Sequence, residues 1–469
     1  MNNYNAENFI DEKQINEVIE EGNLLSKDSK IIQEILDKAK AAKGLSYKEA
    51  AILLSIEDDN VMKEIYKIAK EVKEKIYGKR IVLFAPLYVS NYCVNNCVYC
   101  GYKHCNEELK RRKLNMDELK EEVRVLESLG HKRIALEVGE DPINTPIEYV
   151  LQCIEAIYSL KFDNGAIRRI NVNIAATSVE DYKRLKAADI GTYILFQETY
   201  HKETYEKMHP SGPKHNYNYH TTAMHRAREA GIDDVGIGVL YGLYDYKYET
   251  IAMLMHAEDL ERSTGVGPHT ISVPRLRAAE NVSLSDYPYL VNDHEFKKIV
   301  AVLRLAVPYA GMILSTREEP KLRDEILALG ISQISTGSCT GVGGYAESEK
   351  DVKEKPQFEV ADHRSPIETV ESLIQGGYIP SYCTACYREG RTGDRFMSLA
   401  KSGQINNVCQ ANALLTLKEF TLDYGTETTR ELGNKIIEES LTSIPNLKAR
   451  EVTIEKLKNI EDGQRDLRF

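Results

Sequence analysis

Six of the nine cysteines in this chain fall into two sets whose spacing can do chemistry. The first is the run Cys93-Val94-Asn95-Asn96-Cys97-Val98-Tyr99-Cys100; the second is Cys383, Cys386 and, after 22 intervening residues, Cys409. Close grouping and an odd total read as metal chemistry, not disulfide pairing. A four-iron cluster normally takes four thiolates, so three of them hold three irons and leave the fourth open to a chelating ligand. The alternative at the first set is a zinc ion completed by His104 or Cys105. At the second it is structural zinc with a distant histidine, or a dithiol.

Such residues need a scaffold. From Arg80 onward short apolar runs alternate with amphipathic segments, the rhythm of parallel βα units. Eight runs are expected as strands, at 81–88, 133–138, 169–175, 192–197, 235–241, 269–275, 311–316 and 331–336. Between them, 116–129 reads as a helix, with Leu119, Val123 and Leu126 on one face and Gly130 as its stop. Eight strands predict a TIM-type (β/α)8 barrel, and a cluster loop just after the first strand opens onto the C-terminal face, where barrel active sites lie. Residues from about 28 to 77 carry a helical pattern punctuated by Gly44 and Gly78. After 345 the rhythm breaks into the charged stretch ESEKDVKEKPQ, with helical segments but no further alternation of strand and helix expected beyond it. The predicted organisation is an N-terminal helical extension (1–79), the barrel (80–345) and a mainly helical C-terminal domain (346–469) that carries the second cysteine set.

Composition limits the partners. With 469 residues, 42% hydrophobic and 28% charged, the chain can bury a large core, and no apolar run approaches the length of a membrane span. A net charge of -11 argues against nucleic acid or an anionic membrane as partner. The N-terminus lacks a basic region followed by an apolar core, so a cytoplasmic location is expected.

On the CxxxCxxC motif the sequence resembles the radical S-adenosylmethionine (SAM) superfamily. That resemblance implies a 4Fe-4S cluster on Cys93, Cys97 and Cys100, with SAM chelating the open iron and yielding a 5'-deoxyadenosyl radical on reduction. Tyr99 belongs to the motif. Gly139-Glu140 matches the Gly-Gly-Glu-like element that holds the SAM amino group, with Val138 in place of the first glycine. Asn173 on the third strand and Glu198 after the fourth point to the same face, and GIGVLYG at 236–242 resembles the strand that approaches adenine.

CxxxCxxC, a complete barrel pattern and a terminal CxxC with a third cysteine together resemble the HydG family of FeFe-hydrogenase maturases over nearly the whole chain. The resemblance implies cleavage of L-tyrosine between Cα and Cβ to p-cresol and dehydroglycine. It also implies conversion of dehydroglycine to carbon monoxide and cyanide, delivered on an iron-cysteine synthon to the hydrogenase cluster. It assigns an auxiliary 4Fe-4S or five-iron cluster to Cys383, Cys386 and Cys409, with an additional iron held by His269 and a bound cysteine or similar amino acid. A one-electron donor and other hydrogenase maturation proteins are the implied partners. For the tyrosine carboxylate a bidentate guanidinium suits best; Arg317 is the candidate, helped by Ser315 and the loop Gly337–Gly344, with Arg275 and Arg277 as rivals. The alternatives are the thiamine-pathway tyrosine lyase (2-iminoacetate synthase), which lacks the terminal cysteines, and a noncatalytic iron-sulfur scaffold.

Overall fold

Eight short parallel strands close on themselves. They are β1 (Arg80–Ser90), β2 (Arg133–Val138), β3 (Arg169–Asn173), β4 (Tyr193–Ile194), β5 (Val235–Gly238), β6 (Thr270–Ser272), β7 (Gly311–Leu314) and β8 (Gln333–Ser335), and β1 pairs with both β2 and β8 to close the barrel. This computed structural model describes residues 4–162, 165–279, 282–348, 356–444 and 446–469. Every expected strand is present, most of them shorter than the apolar run that announced it, because the run continues past the last ladder bond into the loop that carries the site. The charged stretch marking the boundary near 346 lies outside the described residues from 349 to 355.

The helices follow from their caps and stripes. Helices α1 (Glu12–Leu25), α2 (Ser29–Lys40), α3 (Tyr47–Leu54) and α4 (Asp59–Tyr77) form the N-terminal extension. Asp11, Asp28, Ser46 and Asp58 cap them by accepting hydrogen bonds from first-turn backbone N–H groups. In α4 the buried Met62, Ile65, Ile68, Ala69, Val72 and Ile76 make one stripe, and α3 and α4 pack against the barrel helix Asp293–Ala306. Full burial of each such aliphatic side chain stabilises the fold by about 1.5–3 kcal/mol. Helix α5 (Met116–Ser128) opens with a capping box between Asn115 and Glu118 and buries Leu119, Val123 and Leu126. Gly130, at φ +91, then supplies the left-handed turn that leads into β2.

One element departs from the sequence reading. A ninth strand, β9 (Ile379–Ser381), pairs in parallel with Arg80–Val82 at the start of β1. Three residues with a central proline give no apolar run, and Pro380 is tolerated because the strand pairs on one side only. Beyond it the helix Ile405–Asp423 packs against β9, β1 and α4. Since Cys383 follows β9 beside the start of β1 and Cys93 follows its end, the two cysteine sets lie at opposite ends of the barrel. From Val82 to Ser90 the separation along the strand is on the order of 25 Å. No helix among the described residues is long and apolar enough to cross a membrane.

Candidate active site and auxiliary metal centre

The loop after β1 is held rigid by backbone groups and by Arg111. The Arg111 guanidinium donates to the carbonyl oxygens of Asn91 (2.7 Å), Tyr102 (2.8 Å), Lys103 (2.6 Å) and His104 (3.3 Å), tying both ends of the cysteine run together. The end of β2 supports it from below: the Val94 N–H donates to the Glu140 carbonyl at 2.8 Å, and Gly139 N–H donates to the Ser90 carbonyl at 3.2 Å. A Cβ at position 139 would stand 2.3 Å from the Tyr92 carbonyl oxygen, so only glycine lets β2 approach this closely. Gly139→Ala is therefore expected to displace Cys93 and cut the iron bound at the first site severalfold, with the second site filled normally. Iron content and electron paramagnetic resonance of the two sites check this.

Cys93, Cys97 and Cys100 all face a cavity of ≈ 230 Å3 in the barrel mouth, and so do Tyr99, Gly139, Glu140, Asn173, Glu198, Ser315 and Arg317. The structure thus gathers every barrel residue singled out from the sequence for the first cluster, SAM or the substrate, apart from the rival Arg275; His269 lies elsewhere. His104 and Cys105, the alternative zinc ligands, do not line the cavity, and Cys105 is exposed. Burial pushes the Cys97 thiol up and Cys100 to about 11, so both sites favour a thiolate only when a cation binds. Glu140 accepts from Asn95 Nδ2 at 2.6 Å, which couples this carboxylate to the cysteine loop. Glu198, at φ +69, is a non-glycine residue in the left-handed region and pairs with Lys214 at 2.8 Å. The Tyr99 hydroxyl meets His209 Nε2 at 2.7 Å.

Among the three arginines the structure discriminates. Arg275 is consumed by Glu318 and by Asp293, the latter at 2.9 Å, and Arg277 pairs with the same Glu318 at 2.6 Å. The Arg317 guanidinium lies 3.3 Å from the ring centroid of Phe358 and has no carboxylate partner among the described residues. Its charge faces the cavity, at the cost of burial that pulls its pKa below the usual value.

At the opposite end, Cys383, Cys386 and Cys409 converge. A hydrogen bond with Cys409 brings Cys386 down to about 6, helped by Arg391 and Arg80, while burial raises Cys383. The buried Arg80 beside the three sulfurs is itself favoured in its charged form by them, and Arg133 donates to the Cys383 carbonyl at 3.0 Å. Three cysteine sulfurs with cationic neighbours fit an anionic iron-sulfur cluster. His269 stands at the start of β6, at this end. Its Nε2 lies 3.4 Å from the hydroxyl of Tyr387, the residue after Cys386. Its Nδ1 lies 3.3 Å from Asp234 but out of line for a hydrogen bond, and remains without a partner, as does Asp234 Oδ2. Unsatisfied buried nitrogen of this kind fits a metal ligand.

Several cavity residues escaped the sequence reading: Asn95, Glu137, Lys214, Gln357 and Phe358. Lys214 sits in the short 3-10 helix Pro213–His215, far in sequence from any strand end. Gln357 and Phe358 belong to the segment after the charged stretch, which returns to the mouth when Gly101 N–H donates to the Gln357 carbonyl at 3.2 Å. No signal in the sequence announces that return. Glu137 was legible in principle, since it shares β2's inward face with Gly139 at a two-residue step.

Fold and cysteine loop together define a radical SAM enzyme, a class that works with a 4Fe-4S cluster and SAM. Residues 87–257 match the radical SAM superfamily and 272–379 the biotin and thiamin synthesis associated domain. The chain is 61% identical to a crystal structure of HydG, a maturase of the FeFe-hydrogenase, covering 98% of this chain and 100% of that one with a TM-score of 0.95. It is 41% identical to the FeFe-hydrogenase maturase HydG from Carboxydothermus hydrogenoformans, covering 96% and 99% with a TM-score of 0.83. Against 2-iminoacetate synthase of Salmonella typhimurium (strain LT2) it is 29% identical over 72% of this chain and 87% of the relative. The chain belongs to the HydG family of FeFe-hydrogenase maturases.

Proposed function

We propose that the chain is a tyrosine lyase that converts L-tyrosine to p-cresol and dehydroglycine. From dehydroglycine it forms carbon monoxide and cyanide, delivered as an iron-cysteine synthon for the hydrogenase cluster. In this reading Cys93, Cys97 and Cys100 hold the 4Fe-4S cluster that binds SAM, and Gly139, Glu140, Asn173, Glu198 and Tyr99 shape the SAM side of the cavity. Reduced by a one-electron donor, that cofactor supplies a 5'-deoxyadenosyl radical. Cys383, Cys386 and Cys409 hold the auxiliary cluster, with His269 directed at an additional iron that also carries a bound cysteine or similar amino acid. The enzyme acts in the cytoplasm beside other hydrogenase maturation proteins.

The observation that carries the reading is the pairing of two three-cysteine sites at opposite ends of one barrel, which a lyase without the second set does not need. Similarity to 2-iminoacetate synthase supports the first half-reaction. Arg317, the cavity guanidinium without a carboxylate partner, takes the tyrosine carboxylate, and Ser315 flanks it. Arg317→Lys keeps the charge and loses the planar fork. Its tyrosine KM is expected to rise about 10-fold or more, with SAM still cleaved in uncoupled fashion, and steady-state p-cresol formation measures both. An unchanged KM would falsify the assignment of Arg317.

A further inference from the structure

Six carboxyl, ammonium and guanidinium side chains dominate the cavity wall: Glu137, Glu140, Glu198, Lys214, Arg277 and Arg317. Four of them are already committed. Glu140 accepts from Asn95 at 2.6 Å, Glu198 and Lys214 pair at 2.8 Å, and Arg277 pairs with Glu318 at 2.6 Å. Three lack an ion-pair partner among the described residues; Glu140 is taken by the Asn95 amide, which leaves one group of each sign, the Arg317 guanidinium and the Glu137 carboxyl. Glu137 stands on β2, opposite Asn173 of β3 in the ladder. Arg317 is the basic group whose charge acts on it most strongly.

A buried carboxyl without a cation is costly, and burial pushes Glu137 up to about 8. An α-amino acid carries a carboxylate and an ammonium on one carbon, so it matches a cavity that offers one unpaired guanidinium and one unpaired carboxyl near each other. We infer that Glu137 receives the α-ammonium group of the amino-acid substrate while Arg317 holds its carboxylate. The pair then fixes the orientation of Cα and Cβ in the barrel mouth. This rests on the tyrosine lyase reading above, and goes beyond it by assigning the second half of the zwitterion. The neutral isostere Glu137→Gln keeps the shape and cannot take on the charge that an ammonium group would favour.

The test compares L-tyrosine with 3-(4-hydroxyphenyl)propanoate, which lacks the ammonium, by equilibrium binding to the anaerobically reconstituted holoenzyme with SAM present. A charge-assisted contact corresponds to roughly 10- to 100-fold in affinity. Wild-type enzyme is expected to favour tyrosine over the propanoate by that factor. Glu137→Gln is expected to weaken tyrosine by the same factor and to leave the propanoate within about twofold. Equal weakening of both ligands, or of neither, overturns the inference, as does a loss of SAM affinity in Glu137→Gln, which would assign the carboxyl to the cofactor. Should that variant fold poorly, the wild-type comparison decides alone, because equal affinity for the two ligands leaves no ammonium contact to assign. Wild-type holoenzyme that binds no tyrosine overturns the substrate reading itself; tyrosine binding that is indifferent to Glu137 overturns only the inference.

Discussion

Cys97→Ala is expected to abolish reductive SAM cleavage, lowering 5'-deoxyadenosine formation by more than about 100-fold. Loss of a mere supporting partner to a metal ligand costs 10- to 100-fold, and here a ligand itself is removed from a site that has only three. Cys97 is the buried member of its set, 6% exposed, so bulk solvent has little access to the position its thiol leaves. The barrel should fold normally, since the loop is held by Arg111 and by the β2 backbone and not by the thiol. Iron bound at Cys383, Cys386 and Cys409 should persist at the far end of β1. The measurement is 5'-deoxyadenosine by chromatography together with an iron count. Normal SAM cleavage in this variant would mean that the motif has been misread.

Removing Cys383 and Cys386 together should separate the two chemistries. Every proposed SAM and tyrosine contact lies at the other end of the barrel, so p-cresol should still form at a rate within severalfold of normal. Iron-bound carbonyl and cyanide should fall below detection, because dehydroglycine would reach no second cluster. Cyanide free in solution is expected to fall less, since dehydroglycine also decomposes unaided. Anaerobic turnover with labelled tyrosine, followed by infrared stretching bands, reads both outcomes. Normal iron-carbonyl bands would make the second set structural and return weight to a zinc site or to the thiamine-type lyase. Absence of p-cresol would show that the two ends are not separable.

These two experiments probe features of unequal legibility. The cysteine sets, the eight strands, α5 and the position of Gly139-Glu140 are local: each is a spacing, a period or a run within some 30 residues, and local sequence carries that information because backbone geometry repeats at 2 and 3.6 residues. The sequence by itself therefore determined the barrel, the CxxxCxxC loop at its mouth and the presence of a second set of three cysteines. Tertiary structure alone decided which long-range neighbours complete them. Strand β9 has no apolar run and a proline, and its place follows from an open edge at Arg80–Val82. Gln357 and Phe358 reach the cavity because the segment after 355 folds back against Gly101 and Thr340. Arg275, Arg277 and Arg317 are alike as residue types, and only Glu318 and Asp293, by neutralising the first two, leave the third with a free charge. Which charges a folded chain spends on itself, and which it leaves for a ligand, depends on contacts between residues remote in sequence, and no local pattern encodes it.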